Sequence, residues 1–278
     1  MNSRQWFFVF LVPVMFSVVN FFMFSSSSLL ESSVLWFFIG YILFLAVLTA
    51  YLRKFSFSIQ GFVSGVFNVA ATVIVFFLYS FNFLTNVFPF LASGIILFFA
   101  MDYFVSGDRN FNSKMIVGGL LIFAGLIVTQ DYGFAMNFFV IALGVLLMIF
   151  SAISNFVLLY RVDEKNLGGR IQSFLLPSLA IPLLLLFTKP FPFNFNGFFS
   201  GFLSAVGFFV FCYALIEIYN KKMGLWSRNL INVASYLDIV ILNVLAVLLF
   251  QGRYTLNGLA GSLIVFAGIA VFVLSQPN

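Results

Sequence analysis

Apolar runs of about 17–25 residues, each long enough to cross the hydrocarbon of a bilayer, follow one another along this chain with only short polar breaks between them. Without water nearby, every backbone N–H and C=O must be satisfied within the protein, so such runs fold as α-helices. Ten are read, at 5–24, 34–52, 58–80, 82–105, 113–130, 136–160, 171–188, 198–219, 229–250 and 255–275. The breaks are Ser25 to Ser33, Arg53-Lys54, the tight Tyr79 to Asn82, Gly107 to Asn112, Asp131 to Gly133, Arg161 to Arg170, Lys189 to Asn196, Asn220 to Ser227 and Gln251 to Arg253. Composition agrees, since 63% of the 278 residues are hydrophobic and 8% are charged, against about 25% charged in an ordinary soluble domain. The expected fold class is an all-α polytopic membrane protein with ten transmembrane helices.

The net charge of +5 bears on orientation, because basic residues gather in cytoplasmic loops. With a cytoplasmic N-terminus, the inner side holds Arg4, Arg53, Lys54, Arg109, Lys114, Arg161, Lys165, Arg170, Lys221, Lys222 and Arg228, and the outer side only Lys189 and Arg253. Both termini are therefore expected in the cytoplasm, in a protein of the plasma membrane, and nucleic acid is not an expected partner. Trp6, Trp36 and Trp226 fall at expected interfaces, where indole rings prefer to sit. The run Gln5 to Phe24 is longer than a signal-peptide core and no small-residue cleavage site follows it, so it is expected to stay as a span.

Enzymatic signatures are missing. The chain has no histidine and one cysteine, Cys212, so an intrachain disulfide and a His-based metal site are both excluded. No nucleotide-binding loop, paired-carboxylate motif or Ser-His constellation is present. The expectation is a non-enzyme with no metal and no cofactor.

Three landmarks recur in the same order. Gly61-Phe62-Val63-Ser64-Gly65 opens the third span, and Gly197-Phe198-Phe199-Ser200-Gly201 opens the eighth. Gly118-Gly119-Leu120-Leu121-Ile122-Phe123-Ala124-Gly125 in the fifth is matched by Gly261-Ser262-Leu263-Ile264-Val265-Phe266-Ala267-Gly268 in the tenth. Asn20 in the first has its counterpart in Ser154-Asn155 of the sixth. Small residues also serve plain helix packing, and any one landmark taken singly reads that way. Three in register read as a duplication, 1–132 and 133–278, of five spans each. Five is odd, so the second copy enters the membrane upside down, the build of many secondary transporters.

With these landmarks in place the chain resembles the drug/metabolite transporter superfamily, in its EamA-like branch. The likeness rests on the ten spans, on Ser154-Asn155-Phe156-Val157, and on the end of each half, a Gly-containing turn followed by a Gly-x-Leu-x-x-Phe-Ala-Gly helix. The turn that often reads Gly-Glu in that family is Gly107-Asp108 in the first half and Gly252-Arg253 in the second, and Asp238-Ile239 stands near the place of a common proline. The resemblance implies a central cavity lined by spans one, three, four, six, eight and nine. It also implies a small organic cargo, such as an amino acid, metabolite or drug, moved by alternating access, with direction (export among the options) and coupling to a proton or to exchange both left open. The expected partners are this small-molecule substrate and the lipid bilayer.

Asp238 is the sharpest candidate for chemistry. It lies ten residues beyond Arg228, about 15 Å at the helical rise and so near the bilayer centre. A charge there costs about 2.5–3.5 kcal/mol on insertion scales, and intramembrane ionisable residues are functional by default. A structural carboxylate bonded to a neighbouring asparagine or tyrosine is the plainer reading. Arg228, Asn232, Ser235, Tyr236, Asp238 and Asn243 share an arc of about 160°. Polar stripes of Ser64, Asn68 and Thr72, of Asn82, Asn86, Pro89 and Ser93, and of Ser17 with Asn20 read equally as cavity lining or as interhelical bonding. The candidate cavity residues are Asn20, Asn68, Asn86, Asn155, Tyr213, Asn232, Tyr236 and Asp238. Glu217 reads as an interfacial pair with Lys221, Asp102 as a group near the inner surface, and Arg161 to Lys165 as a solvated loop. Pro13, Pro89, Pro177 and Pro182 are expected to kink their spans. The alternative class is a membrane scaffold or accessory subunit, which needs no wet cavity.

Overall fold

The computed structural model describes residues 3–52, 55–81, 84–106, 113–129, 138–159, 164–188, 190–220, 237–249 and 256–275. These residues form helices and no strand. In chain order they are α1 (Ser3–Ser26), α2 (Leu30–Tyr51), α3 (Ile59–Ser80), α4 (Leu84–Ser106), α5 (Ser113–Thr129), α6 (Phe138–Leu159), α7 (Glu164–Gln172), α8 (Leu175–Leu186), α9 (Phe195–Asn220), α10 (Leu237–Leu249) and α11 (Leu256–Leu274). Among the described residues, 6 stretches are long and apolar enough to cross a membrane: Leu11–Tyr51, Ile59–Ser80, Phe138–Leu158, Asn166–Leu186, Phe195–Tyr213 and Asn257–Leu274. That is the make-up of an α-helical integral membrane protein.

The first stretch holds two helices folded back on each other. Ser25 to Ser33, expected as a polar break, closes α1, makes a 3-10 turn at Ser27–Leu29 and opens α2. The serines before and within the turn bond locally. Ser25, Ser26 and Ser27 donate to the carbonyls of Phe21, Met23 and Phe24 at 2.8, 2.9 and 2.7 Å. Hydroxyls bonded back to their own helix leave Ser26 and Ser27 buried at the turn, while Ser25, Ser28 and Leu29 are exposed.

Ring and glycine contacts fix helix directions. Along α1 and α9, Phe22 meets Phe199 and Phe16 meets Phe211, so the two run antiparallel. α2 runs parallel to α9, with Ser33 beside Gly197 and Phe37 beside Gly201. α3 and α6 are antiparallel, Phe67 on Phe150 and Phe77 on Phe139. α4 is parallel to α6, with Phe90 over Gly144 and Phe98 against Phe156. One end of the bundle thus carries Ser3 (the amino-terminal end), and the other carries the α1–α2 turn and residues 190–194 (the hairpin end).

The most extensive interface joins α5 to α11. Gly118 lies so close to α11 that an added Cβ would stand 2.6 Å from Phe272 N and 2.8 Å from the Gly268 carbonyl. A Cβ on Gly268 would stand 2.6 Å from Ile122 N and 2.8 Å from the Gly118 carbonyl. Gly125 faces the Gly261 carbonyl at 2.7 Å in the same way. The first glycine of each eight-residue segment therefore meets the last glycine of the other, across antiparallel helices. Only residues without a side chain allow backbones this near, which is how small residues drive helix association in lipid.

A second pair of contacts has the same exchanged form. Gly61 packs on the Arg170 backbone and Gly65 on Phe174 and Pro177, while Gly197 packs on Ser33 and Gly201 on Phe37. The segment before α3 is held by the far side as well. Ser56 N donates to Gln172 Oε1 at 2.8 Å and Ser58 N to Ser173 Oγ at 2.7 Å, and Ser58 Oγ caps α3 by accepting from Gly61 N. Before α9, Asn194 Oδ1 caps the helix by accepting from Gly197 N, and Asn194 Nδ2 donates to Ser33 Oγ, both at 3.0 Å. Trp36 Nε1 and Ser32 Oγ both donate to the Pro192 carbonyl, at 2.7 and 2.8 Å.

The stretch Arg161 to Arg170 departs from expectation. Its described part is helical from Glu164, and Arg170 is buried, 4% exposed. Its Nη1 donates to the Leu158 and Val157 carbonyls at 2.6 and 3.3 Å, filling acceptors that the last turn of α6 leaves open. Pro182 lies inside α8, whereas Pro177 sits in its first turn, where a missing N–H breaks no helical bond.

Candidate functional site

Asp238 is the second residue of α10, half-buried. Its carbonyl faces Ser17 Oγ at 3.3 Å, while the same hydroxyl lies 2.8 Å from the Pro13 carbonyl. Ser17 is 1% exposed and lies about 21 Å along α1 from Ser3 and about 14 Å from Ser26 at the helical rise. The contact therefore sets the Asp238 backbone at the middle depth of α1. Asn232 and Tyr236, expected on the same arc as Asp238, lie outside the described residues, as do Arg228 and Asn82.

Asn20 stands one turn beyond Ser17 on α1, half-buried, and its Oδ1 accepts from the Tyr79 hydroxyl at 3.3 Å. Tyr79, read both as part of the third span and as the start of the tight break, lies within α3, 0% exposed, with its ring edge-on to Phe24 at 5.8 Å. Seven residues separate it from Thr72, close to two helical turns, so the polar stripe of α3 could have been carried on to it from the sequence.

Asn68 and Asn155 flank the α3–α6 interface, both half-buried. Between them Ser64 and Ser154 are buried and mutually bonded. Asn155 lies about 6 Å from the end of α6 at Leu159, and Asn68 about 14 Å from the start of α3, both counted from the amino-terminal end. Tyr213 is 42% exposed on α9 and stacks on Phe209 at 6.5 Å. Asn86 belongs to α4, with no side-chain placement among the described residues.

The depths matter more than any single contact. Asn155, Asn68, Asp238 and Asn20 rise in that order from the amino-terminal end to the hairpin end, over about 20 Å. One small molecule cannot touch all four. They stand at four levels of the bundle. Among the described residues no group of three or more Cys, Asp or Glu is placed to hold a metal ion. No family model matches the chain, and no curated protein matches it.

Proposed function

We propose that this chain is a secondary transporter of the drug/metabolite transporter type, EamA-like, built as two inverted five-helix halves, 1–132 and 133–278. It moves a small organic solute by alternating access, and the amino-terminal end faces the cytoplasm, in keeping with the bias of basic residues. The observation that carries the reading is the exchange of glycine contacts. Gly118 with Gly268 and Gly125 with Gly261 are what a two-fold axis in the membrane plane produces between α5 and α11. The pairs Gly61–Arg170 with Gly65–Phe174 and Ser33–Gly197 with Phe37–Gly201 repeat that exchange elsewhere in the bundle.

Packing favours moving bodies that mix the halves. α1 packs along α9 and meets α10, and α3 and α4 both pack on α6. Rocking of these two groups, with the α5–α11 pair as a fixed joint, would open a polar track past Asn155, Asn68, Asp238 and Asn20 first to one end and then to the other. Asp238 lies on that track and is the group best suited to bind a cation, a proton or a cationic substrate.

The test is transport in proteoliposomes. A thermal-shift screen of the purified protein against metabolite classes first identifies a ligand, since binding to the native state raises apparent stability by mass action. Uptake of that ligand is then compared for the native protein and Asp238→Asn. Loss of rate or affinity, or a changed pH profile, supports the assignment, and an unchanged variant removes Asp238 from the mechanism. Cysteines at Asn20, Asn155 and Asn232 that stay unreactive to impermeant reagents from both sides would instead mark a scaffold without a wet path.

A further inference from the structure

We propose that the Tyr79–Asn20 hydrogen bond is a one-sided latch, holding the hairpin end of the track closed, with no equivalent at the matched positions of the second half. The proposal rests on the transporter reading above. α1 belongs to the group packed on α9, and α3 to the group packed on α6. A bond from Tyr79 on α3 to Asn20 on α1 therefore joins the two groups that must part when this end opens. It lies near the ends of both helices, on the last turn of α3 and about 9 Å from the end of α1. Phe24, edge-on to the Tyr79 ring, and Phe76, edge-on to Phe37 at 5.3 Å, close the same level with apolar surface.

The duplication shows why the latch is one-sided. Tyr79 stands 18 residues after Gly61, and 18 residues after the matching Gly197 stands Leu215. Asn20 has its counterpart in Asn155, so at these matched positions the second half keeps the acceptor and lacks the donor. Leucine cannot bond to an amide. Where α9 meets the turn between α7 and α8, Phe208 stacks on Phe174 at 5.2 Å. At this matched pair of positions the two halves thus differ in one hydroxyl. At 3.3 Å the bond is long for a hydroxyl donor, so it biases the resting population without locking it, and bound solute can reverse the bias.

The test uses cysteine reporters at Thr72 and Asn68, placed singly in the full-length protein in sided vesicles and labelled with a membrane-impermeant maleimide. With Tyr79 intact, each reporter reacts faster from the amino-terminal side. Tyr79→Phe keeps the ring and removes only the hydroxyl, and it should raise the rate from the hairpin side about threefold, the value of an average intramembrane hydrogen bond. Asn20→Leu should do the same, and the double variant should add nothing, since each change removes the same bond. An unchanged hairpin-side rate in Tyr79→Phe, or additive effects in the double variant, overturns the latch while leaving transport intact. Reporters silent from both sides in every background overturn the transporter reading, and the latch with it.

Discussion

Ser64 and Ser154 bond to each other's backbones. Ser64 Oγ donates to the Ser154 carbonyl at 2.8 Å, and Ser154 Oγ donates to the Ser64 carbonyl at 3.0 Å, with the two hydroxyl oxygens 3.1 Å apart. Both side chains are buried. A small residue on each helix is what lets α3 and α6 come near enough for the exchange. Ser154→Ala should cost only about 0.6–1.7 kcal/mol, the range of intramembrane hydrogen bonds. Ser154→Leu should cost more, about 1–3 kcal/mol from overpacking alone. Reversible unfolding in mixed micelles ranks them, and a leucine variant as stable as the alanine one would contradict the close approach.

Neighbouring glycines on α5 give a matched pair. At Gly118 an added Cβ meets backbone atoms of α11 at 2.6 and 2.8 Å, whereas at Gly119 it meets nothing within 4 Å. Gly118→Ala should therefore separate α5 from α11 and lower thermal stability sharply. Gly119→Ala should be neutral or gain up to about 1 kcal/mol, because alanine is the better helix former. Equal effects from the two would mean that the interface is misplaced.

Arg170 is expected to be structural. Its guanidinium serves two carbonyls at the end of α6 from a buried position. Arg170→Met leaves those acceptors without the cation and should cost about 1.5–3 kcal/mol per lost charged bond. Arg170→Lys should recover only part, because an ammonium is a single point rather than a fork. Melting curves of both variants, read beside the yield of folded protein, decide the matter.

Asn194 and Ser58 cap α9 and α3 from opposite ends of the bundle. Substitution by alanine should cost about 0.5–2 kcal/mol at either cap. Asn194→Ala should be the worse, since it also removes the donor to Ser33 Oγ. Hydrogen exchange at the first amides of α9 and α3 would show the fraying directly.

Cys212 is 0% exposed. It should not react with impermeant or permeant maleimide in the native protein, and should react fully once the protein is unfolded in detergent. Labelling of native protein would mean that the packing around α9 opens far more readily than its burial implies.

How much of this was legible beforehand differs by element. The third span, read as 58–80, is helix Ile59–Ser80, and the fifth, read as 113–130, is helix Ser113–Thr129. Those limits follow from transfer energies of side chains that sit next to one another in the chain. Ser25 to Ser33 is the break between α1 and α2 that the sequence marks, whereas the run Arg161 to Lys165, read as a solvated loop, is helical from Glu164. In the first, hydroxyls bond back to their own helix. Along that helix, the end of α6 supplies acceptors for Arg170. Neither acceptor is visible from composition.

The sequence by itself determined a helical membrane protein, its apolar runs and the three recurring landmarks, because each is a local property of composition and spacing. Tertiary structure decided which pieces meet: Asn20 with Tyr79, Ser64 with Ser154, and the Ser17 hydroxyl with the Asp238 carbonyl, pairs 59, 90 and 221 residues apart. The physical reason is that in lipid, helices are not sorted by hydrophobicity, since every face is apolar enough to meet acyl chains. Partners are chosen by close packing and a few hydrogen bonds, and those exist only once the helices are in contact.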